Sequence, residues 1–148
     1  MIASPSPRPA PGPENIRALI VDDEEPVGRF VDRVLLGAGY LTARASDGVE
    51  ALDVASKLEN LDILVTDLMM PNMAGDELAR QLRQREPGLK VLYLTGYSDR
   101  LFKQKSMLWE GEAFLDKPCS VAGLLQAVAL LLFGQFDAPG STRRRRRS

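Results

Sequence analysis

Apolar runs of strand length alternate with amphipathic stretches along most of the chain. A short apolar run rich in β-branched residues predicts a strand that is buried on both faces of a sheet. Five runs of strand length are present: Ile16–Val21, Tyr40–Ala45, Leu61–Thr66, Leu89–Leu94 and Glu112–Leu115. The second run is short and less apolar than the first, which predicts that it lies at the edge of the sheet.

A helical pattern follows each of these runs. Apolar residues recur there at the spacing of an amphipathic helix, although the fourth pattern has no clean apolar stripe. The predicted helices contain, in order, Val27 to Leu35, Val49 to Leu58, Leu78 to Leu82, Ser98–Trp109 and Val121–Phe133. On the third helix, the side chains predicted to face solvent are Arg80, Arg83, Arg85 and Glu86.

This alternation of strand and helix predicts an α/β fold, with a doubly wound five-stranded parallel sheet and helices on both faces. Because crossovers between parallel strands are right-handed, few arrangements are possible. The flavodoxin-like strand order 2-1-3-4-5 fits best, since it places the edge-like second strand outermost. The first and third strands are then neighbours.

Composition divides the chain into three parts. Residues 1–15 hold five of the ten prolines, at alternate positions, and are predicted to be a disordered leader. Residues 16–136 are the predicted folded domain. Residues 137–148 contain Pro, Gly, Ser and the run Arg143–Arg147, and are predicted to be a disordered tail.

The net charge of −1 conceals an acidic body. Residues 1–142 carry 14 basic and 20 acidic side chains, which argues against nucleic-acid binding by the domain itself. The single cysteine, Cys119, excludes an internal disulfide and indicates a reducing, cytoplasmic location. The longest apolar run, Val121–Phe133, is too short to span a bilayer, so no membrane segment is expected. The absence of histidine excludes a histidine metal ligand or general base.

Chemically capable side chains follow four of the five strands. Asp22 and Asp23 follow the first, Asp67 the third, Thr95 the fourth and Lys117 the fifth. In the predicted strand order the three acids meet, and such a cluster of oxygen ligands favours a hard cation, Mg²⁺ or Mn²⁺. A hydroxyl and an ammonium group at the same edge suit a bound phosphoryl group.

With these residues at four strand ends, the chain resembles the receiver domain of two-component response regulators. The resemblance covers roughly Ile16–Phe133 and includes Met-Met-Pro-Asn-Met-Ala-Gly after Asp67, Gly96 after Thr95, and Pro118 after the lysine. The wording VLYLTGYSD and FLDKP looks most like receivers attached to hybrid histidine kinases.

The resemblance implies a role for each acid. Asp67 would be the phospho-acceptor, taking the phosphoryl group from a phosphohistidine. Asp23 and Asp67 would bind Mg²⁺ directly, together with the backbone carbonyl of Met69. Asp22 would act through a metal-bound water.

The resemblance also implies a switch and a set of partners. Lys117 would hold a phosphoryl oxygen, Thr95 would move toward the phosphate, and Phe114 would be the rotating aromatic residue. The partner would be a histidine kinase or a histidine phosphotransfer protein. The module would catalyse only its own phosphorylation and dephosphorylation, and would act by protein contact or as a phosphorelay step.

Other interpretations of the same residues remain open at this point. Taken singly, the acids fit an ordinary helix start or turn, Thr95 fits a helix cap, Lys117 fits a surface charge, and Phe114 fits plain core. One rival function is an aspartate-nucleophile phosphatase of the haloacid dehalogenase type, which uses an Asp-x-Asp pattern after its first strand. Another is a receiver-shaped scaffold that is never phosphorylated.

The last predicted helix, Val121–Phe133, is apolar on nearly every side and is capped by Ser120. Its predicted core stripe is Val121, Leu124, Leu125, Val128, Leu131 and Leu132. A second set is predicted to project away from the core: Ala122, Gln126, Ala129, Leu130 and Phe133, with Phe136 beyond it. This apolar surface predicts a binding partner, and a second copy of the chain is preferred over a helix of a kinase or phosphotransfer protein. Alternatively, the leader or the tail of the same chain folds over this surface.

Overall fold

The five apolar runs form the strands of one parallel sheet. The computed structural model describes residues 15–96 and 111–134. The strands are β1 (Arg17–Val21), β2 (Leu41–Ala45), β3 (Ile63–Asp67), β4 (Lys90–Thr95) and β5 (Glu112–Asp116). The helices are α1 (Glu25–Gly37), α2 (Gly48–Ser56), α3 (Gly75–Arg83) and α4 (Val121–Phe133). Residues 1–14 of the predicted leader, the predicted helix Ser98–Trp109, Phe136 and the predicted tail 137–148 lie outside the described residues.

The order of the strands in the sheet is β2-β1-β3-β4-β5, and every neighbouring pair is parallel. This confirms the predicted flavodoxin-like order, including the position of β2 at the edge. The pairing of Val21 with Thr66 places the carboxyl ends of β1 and β3 side by side. In parallel α/β sheets of this kind, ligands bind outside the carboxyl ends of the strands.

Helices cover both faces of the sheet and enclose a separate apolar core on each. α2 and α3 pack on one face, where Ala51, Ala55, Leu78 and Leu82 are buried. The other core, shared with α1 and α4, includes Val31, Leu35, Leu124 and Val128. No helix in the described part of the chain is long and apolar enough to cross a membrane.

Short-range signals position the ends of the helices. The Asp47 carboxylate accepts a hydrogen bond of 2.8 Å from the backbone N–H of Glu50, and so caps α2. The predicted cap at Ser120 is confirmed, because its hydroxyl oxygen accepts a 2.9 Å hydrogen bond from the N–H of Gly123. Gly134 ends α4 with φ of 76°, a left-handed conformation that favours glycine.

The third strand extends further along the chain than its apolar run predicts. The run ends at Thr66, but Asp67 pairs with Leu94 as the last residue of β3 and is buried. The ladder continues because the N–H of Leu68 still donates to the carbonyl of Leu94, at 3.2 Å. The acid therefore lies within the sheet rather than beyond it.

Two helical faces were predicted incorrectly in part. The apolar spacing of α2 predicts that Val49 faces the core, yet it is exposed, while Ala51 and Ala55 are buried. Two residues of helix turn the side chain by about 200°, so Val49 faces away when Ala51 faces the sheet. Arg83 was predicted to face solvent, but its guanidinium contacts the buried carboxylate of Glu112 at 2.7 Å.

The buried face of α4 also differs from the predicted stripe at two positions. Val121, assigned to the core, is exposed because the first turn of the helix extends past the buried residues. Ala129, assigned to the outer set, is buried. It lies one turn beyond Leu125 on the same side of the helix, and that side also packs against the core.

Candidate functional site

Three carboxylates meet at the carboxyl ends of β1 and β3. One oxygen from each of Asp22, Asp23 and Asp67 lies within 4.8 Å of the others. Asp22 and Asp67 are each only 4% exposed, whereas Asp23 is open to solvent. The sequence predicted this meeting from strand order alone. Like charges at this separation repel each other unless a cation neutralises them.

Lys117 supplies one positive charge to this cluster. Its Nζ lies 3.2 Å from Asp22 Oδ2, 3.4 Å from Asp67 Oδ2 and 3.5 Å from Glu24 Oε1. The backbone N–H of Lys117 donates to the carbonyl of Thr95 at 2.8 Å, which ties the β5 end to the β4 end. The predicted proximity of Lys117 to the acids is therefore present in the structure.

Backbone N–H groups orient two of the carboxylates. The N–H of Glu24 donates to Asp22 Oδ1 at 2.8 Å, and the N–H of Met69 donates to Asp67 Oδ1 at 3.4 Å. Both donors lie two residues after the acid that they contact. The direction of each carboxylate therefore depends on the turn that follows its strand.

Burial is the largest single influence on the pKa of Asp22 and of Asp67. Burial raises the pKa of Asp67 to about 7, against the opposing effect of Lys117, and Asp22 adds to the rise. Burial likewise raises the pKa of Asp22, although the N–H of Glu24 and Lys117 oppose it. Burial alone would lower the pKa of Lys117, but Asp22 and Asp67 outweigh that effect and hold it above its usual value. Added positive charge would therefore favour ionised carboxylates at this site.

Thr95 is the last residue of β4 and is buried at the same edge of the sheet. Its hydroxyl oxygen has no hydrogen-bond partner within residues 15–96 and 111–134. A buried hydroxyl without a partner is costly, so a ligand oxygen that accepted its proton would stabilise this group.

The other two predicted side chains lie at either side of the cluster. Met69 is exposed after β3, and its predicted role as a ligand through the backbone carbonyl stays a prediction. Phe114 is half-buried on β5, and its ring centroid lies 5.5 Å from that of Tyr93. Its predicted rotation also stays a prediction.

The loop after Asp67 is held tightly against the end of β3. The N–H of Gly75 donates to the carbonyl of Leu68 at 2.8 Å, and Thr66 Oγ1 donates to the carbonyl of Asp67 at 2.9 Å. A Cβ atom on Gly75 would collide with the carbonyl oxygen of Asp67. Only glycine allows this close approach, which fixes the backbone that presents the Asp67 carboxylate.

Sequence reasoning missed two features near this site. Glu24 joins the ion-pair cluster around Lys117, although its sequence position just before Pro26 suggested only a helix-start acid. Tyr93, Glu112 and Arg83 form a largely buried polar group next to Phe114. An arginine predicted to face solvent and an acid at the start of a strand gave no signal that they would meet.

The cluster fits a hard divalent cation. All its donors are carboxylate oxygens, which Mg²⁺ prefers, and two of the three acids are buried close together. The same edge carries an ammonium group at Lys117 and a buried hydroxyl at Thr95 without a partner in the described segments. These groups together suit a carboxylate nucleophile that receives a phosphoryl group.

Comparison with known proteins identifies relatives over the same segment. A family model described as the response regulator receiver domain matches residues 18–129. The sensor kinase CckA of Brucella abortus is 36% identical over 115 residues, which cover 77% of this chain and 12% of CckA. The response regulator MprA of Mycobacterium bovis is 38% identical over 119 residues, covering 80% of this chain and 51% of MprA. The chain thus spans about half or less of the length of these curated relatives.

Solved structures agree with the sequence relatives. The chemotaxis protein CheY4 of Vibrio cholerae superimposes with a TM-score of 0.70 at 30% identity, covering 79% of this chain and 98% of that chain. The similarity therefore extends over nearly the whole of CheY4.

Proposed function

The chain belongs to the response regulator receiver domain family, and on that premise we propose that Asp67 is its phosphorylation site. Receiver domains are phosphorylation-controlled switches of two-component signalling, and they interact with histidine kinases or phosphotransfer proteins. One observation carries the assignment. The Asp67 carboxylate is buried at the end of β3, beside two further acids and within ion-pair distance of Lys117.

The proposed reaction transfers a phosphoryl group from a phosphohistidine to Asp67. A carboxylate oxygen attacks phosphorus, a P–O bond forms, and the P–N bond to the imidazole breaks with its electron pair leaving on nitrogen. The product is an acyl phosphate. The hydrogen bond from the N–H of Met69 to Oδ1 orients the carboxylate for this attack.

Asp22, Asp23 and Asp67 are proposed to hold a Mg²⁺ ion, with the backbone carbonyl of Met69 as a further ligand; Mn²⁺ would fit the same oxygen donors. In the proposed arrangement Asp23 and Asp67 are direct ligands, and Asp22 acts through a water. When bound, the ion supplies positive charge against the anionic phosphoryl oxygens.

Lys117 and Thr95 are proposed to bind the oxygens of the phosphoryl group after its transfer to Asp67. Lys117 already lies 3.4 Å from Asp67 Oδ2, so a small movement of its ammonium group would reach a phosphoryl oxygen. The Thr95 hydroxyl has no hydrogen-bond partner in the described segments, and it would donate to a second phosphoryl oxygen. Phe114 is proposed to move with Thr95 and to carry the change to the surface of β5.

The proposed module is a switch or relay and not an enzyme acting on other substrates. It would catalyse only its own phosphorylation and dephosphorylation, in the cytoplasm. Its partner would be a histidine kinase or a phosphotransfer protein. A second copy of the chain is proposed to bind α4, where Leu130 is 42% and Phe133 38% exposed.

Labelling with a small phosphodonor in the presence of Mg²⁺ tests the assignment. We expect one stable phosphoryl group per chain by intact-mass spectrometry, and none on Asp67→Asn. Asp53→Asn is a matched control, since Asp53 is exposed on α2 and pairs with Lys57 rather than with the cluster. A label retained on Asp67→Asn would overturn the assignment. Continuous phosphate release from the donor would favour the phosphatase alternative, and no incorporation would favour the scaffold.

A further inference from the structure

A largely buried polar group of Tyr93, Glu112 and Arg83 connects β4, β5 and α3. The Tyr93 hydroxyl donates to Glu112 Oε2 at 3.1 Å, and Arg83 Nη1 lies 2.7 Å from the same oxygen. Arg83 also donates from Nε and Nη2 to the carbonyl of Leu89, at 3.2 and 3.0 Å. The Tyr93 side chain is fully buried, and the Glu112 side chain is only 2% exposed.

This arrangement is a costly way to fill a core. A buried carboxylate is unfavourable unless it is paired and hydrogen-bonded, and apolar side chains of similar volume often stabilise a core as well or better. The polar group instead orients the Tyr93 side chain. Because the Tyr93 hydroxyl reaches Glu112, and Glu112 is held by Arg83, the Tyr93 ring is restricted to one orientation.

The ring that Tyr93 contacts is Phe114. The two residues are direct neighbours across the β4–β5 pairing, and their ring planes are tilted by 41° at a centroid distance of 5.5 Å. Tilted aromatic pairs at this distance attract each other. Thr95 lies two residues beyond Tyr93, so its side chain projects from the same face of β4. Tyr93 is thus close to Thr95 and Phe114, the two side chains that are proposed to move on phosphorylation.

We propose that Tyr93 is a positioning residue that holds Phe114 in its resting orientation, anchored through Glu112 and Arg83. This inference rests on the proposed function, because it assumes that phosphorylation of Asp67 favours a different orientation of Phe114. Since coupling between two sites is reciprocal, a change that releases Phe114 also favours phosphorylation.

Fluorine NMR of the full chain, with fluorophenylalanine introduced at position 114 alone, measures this coupling directly. A single label is needed because the chain has five phenylalanines and Tyr93→Phe adds a sixth. In the parent we expect one resonance without phosphodonor and a shifted resonance with it. Tyr93→Phe, which keeps the ring but removes the anchor, should move the unphosphorylated resonance part of the way. Tyr93→Leu, which removes the ring, should move it further.

The rate of phosphorylation by the small phosphodonor is the second measurement. Loss of an aromatic contact of this kind changes an equilibrium by about two- to tenfold, so the rate should rise within that range in Tyr93→Leu. In Tyr93→Phe, which keeps the ring, the rate should rise by less. Tyr40→Phe is the matched control, because Tyr40 is buried in the core on the opposite face of the sheet. It should change neither the resonance nor the rate.

The possible results separate this inference from the function on which it rests. A parent that accepts no phosphate at Asp67 overturns the proposed function, and this inference with it. A parent that is phosphorylated normally, with Tyr93 variants that match it in both resonance and rate, overturns this inference alone. A variant that loses only thermal stability would show that the polar group has a purely structural role. If Tyr93→Leu does not fold, the isosteric Tyr93→Phe decides the question.

Discussion

Asp23 differs from the two acids beside it because its side chain is exposed to solvent. Asp22 and Asp67 both lie within ion-pair distance of Lys117, and Asp22 also accepts a hydrogen bond from the N–H of Glu24. Burial and these contacts fix the positions of Asp22 and Asp67. Asp23 is therefore the acid whose removal disturbs the surrounding structure least.

Replacement of Asp23 by alanine is expected to weaken Mg²⁺ binding by at least about tenfold, because one of three clustered oxygen donors is lost. The same change removes a negative charge next to Asp67, so the metal-free protein should become slightly more stable. Isothermal titration with Mg²⁺ and chemical unfolding measure the two effects. Asp53→Ala controls for the loss of an exposed aspartate. Equal Mg²⁺ affinity in Asp23→Ala and the parent would remove Asp23 from the site.

Gly75 offers a second test at the scale of one residue. Gly75→Ala should lower the free energy of unfolding by about 1–3 kcal/mol, because its Cβ would collide with the carbonyl oxygen of Asp67. It should also slow phosphorylation, since the strain falls on the backbone that presents the Asp67 carboxylate. Gly88→Ala is the control, because a Cβ there meets no atom within 4 Å. Equal unfolding curves for the two variants would contradict the argument.

At the scale of an element, α4 has two distinct sides. Leu124 and Val128 pack in the core with α1, while Leu130 and Phe133 remain exposed near its carboxyl end. The helix is apolar on nearly every side, so its sequence does not distinguish the two sides as clearly as that of α3 does. Leu130 and Phe133 lie near the carboxyl end of α4, whereas the site lies near its amino end, at Ser120. Changes to this pair should therefore leave phosphorylation intact.

The double variant Leu130→Glu with Phe133→Glu is expected to abolish self-association while Asp67 remains phosphorylatable. The added charges would repel each other across a symmetric interface and could not be buried there. Sedimentation velocity over a range of concentrations, with and without phosphodonor, measures the association. Val49→Glu controls for a charge added at an exposed apolar position, because Val49 lies on α2, which packs on the opposite face of the sheet. A parent protein that stays monomeric throughout would rule out the homodimer.

At the scale of the whole molecule, the cluster of acids opposes folding in the absence of a cation. The pKa of Asp67 is raised by burial from 3.8 to about 7 in the folded protein. Between pH 3.8 and about 7, the folded state therefore keeps a proton on Asp67 that the unfolded chain has released. The stabilising contribution of that proton is complete below pH 3.8 and is lost as the pH rises through about 7.

Asp67→Asn should therefore stabilise the metal-free protein at pH 8 by about 2 kcal/mol and have much less effect at pH 5. Loss of the Lys117 contact offsets part of the gain at pH 8. Urea unfolding of parent and variant at both pH values measures the difference. Saturating Mg²⁺ should reduce it at pH 8, because the ion stabilises only the parent's ionised carboxylate. A constant difference across pH would show that Asp67 does not titrate in this range.

The order of elements and the meeting of the acids could be predicted from the sequence by itself. Apolar periodicity distinguishes strand from helix, and right-handed crossovers leave few ways to arrange five parallel strands. Once β1 and β3 are neighbours, residues that follow them must converge, which placed Asp22, Asp23 and Asp67 together. These features depend on local patterns and on chain connectivity, both of which are present in the sequence.

Only the tertiary structure decided which side chains meet across elements. Arg83 and Glu112 are 29 residues apart, and their contact depends on how α3 packs against the sheet. The exposure of Val121 and the burial of Ala129 likewise depend on where α4 crosses the sheet. A periodic pattern predicts which face of its helix a residue lies on, but it does not predict which other element covers that face. The covering depends on how all the neighbouring elements pack together, which only the tertiary structure shows.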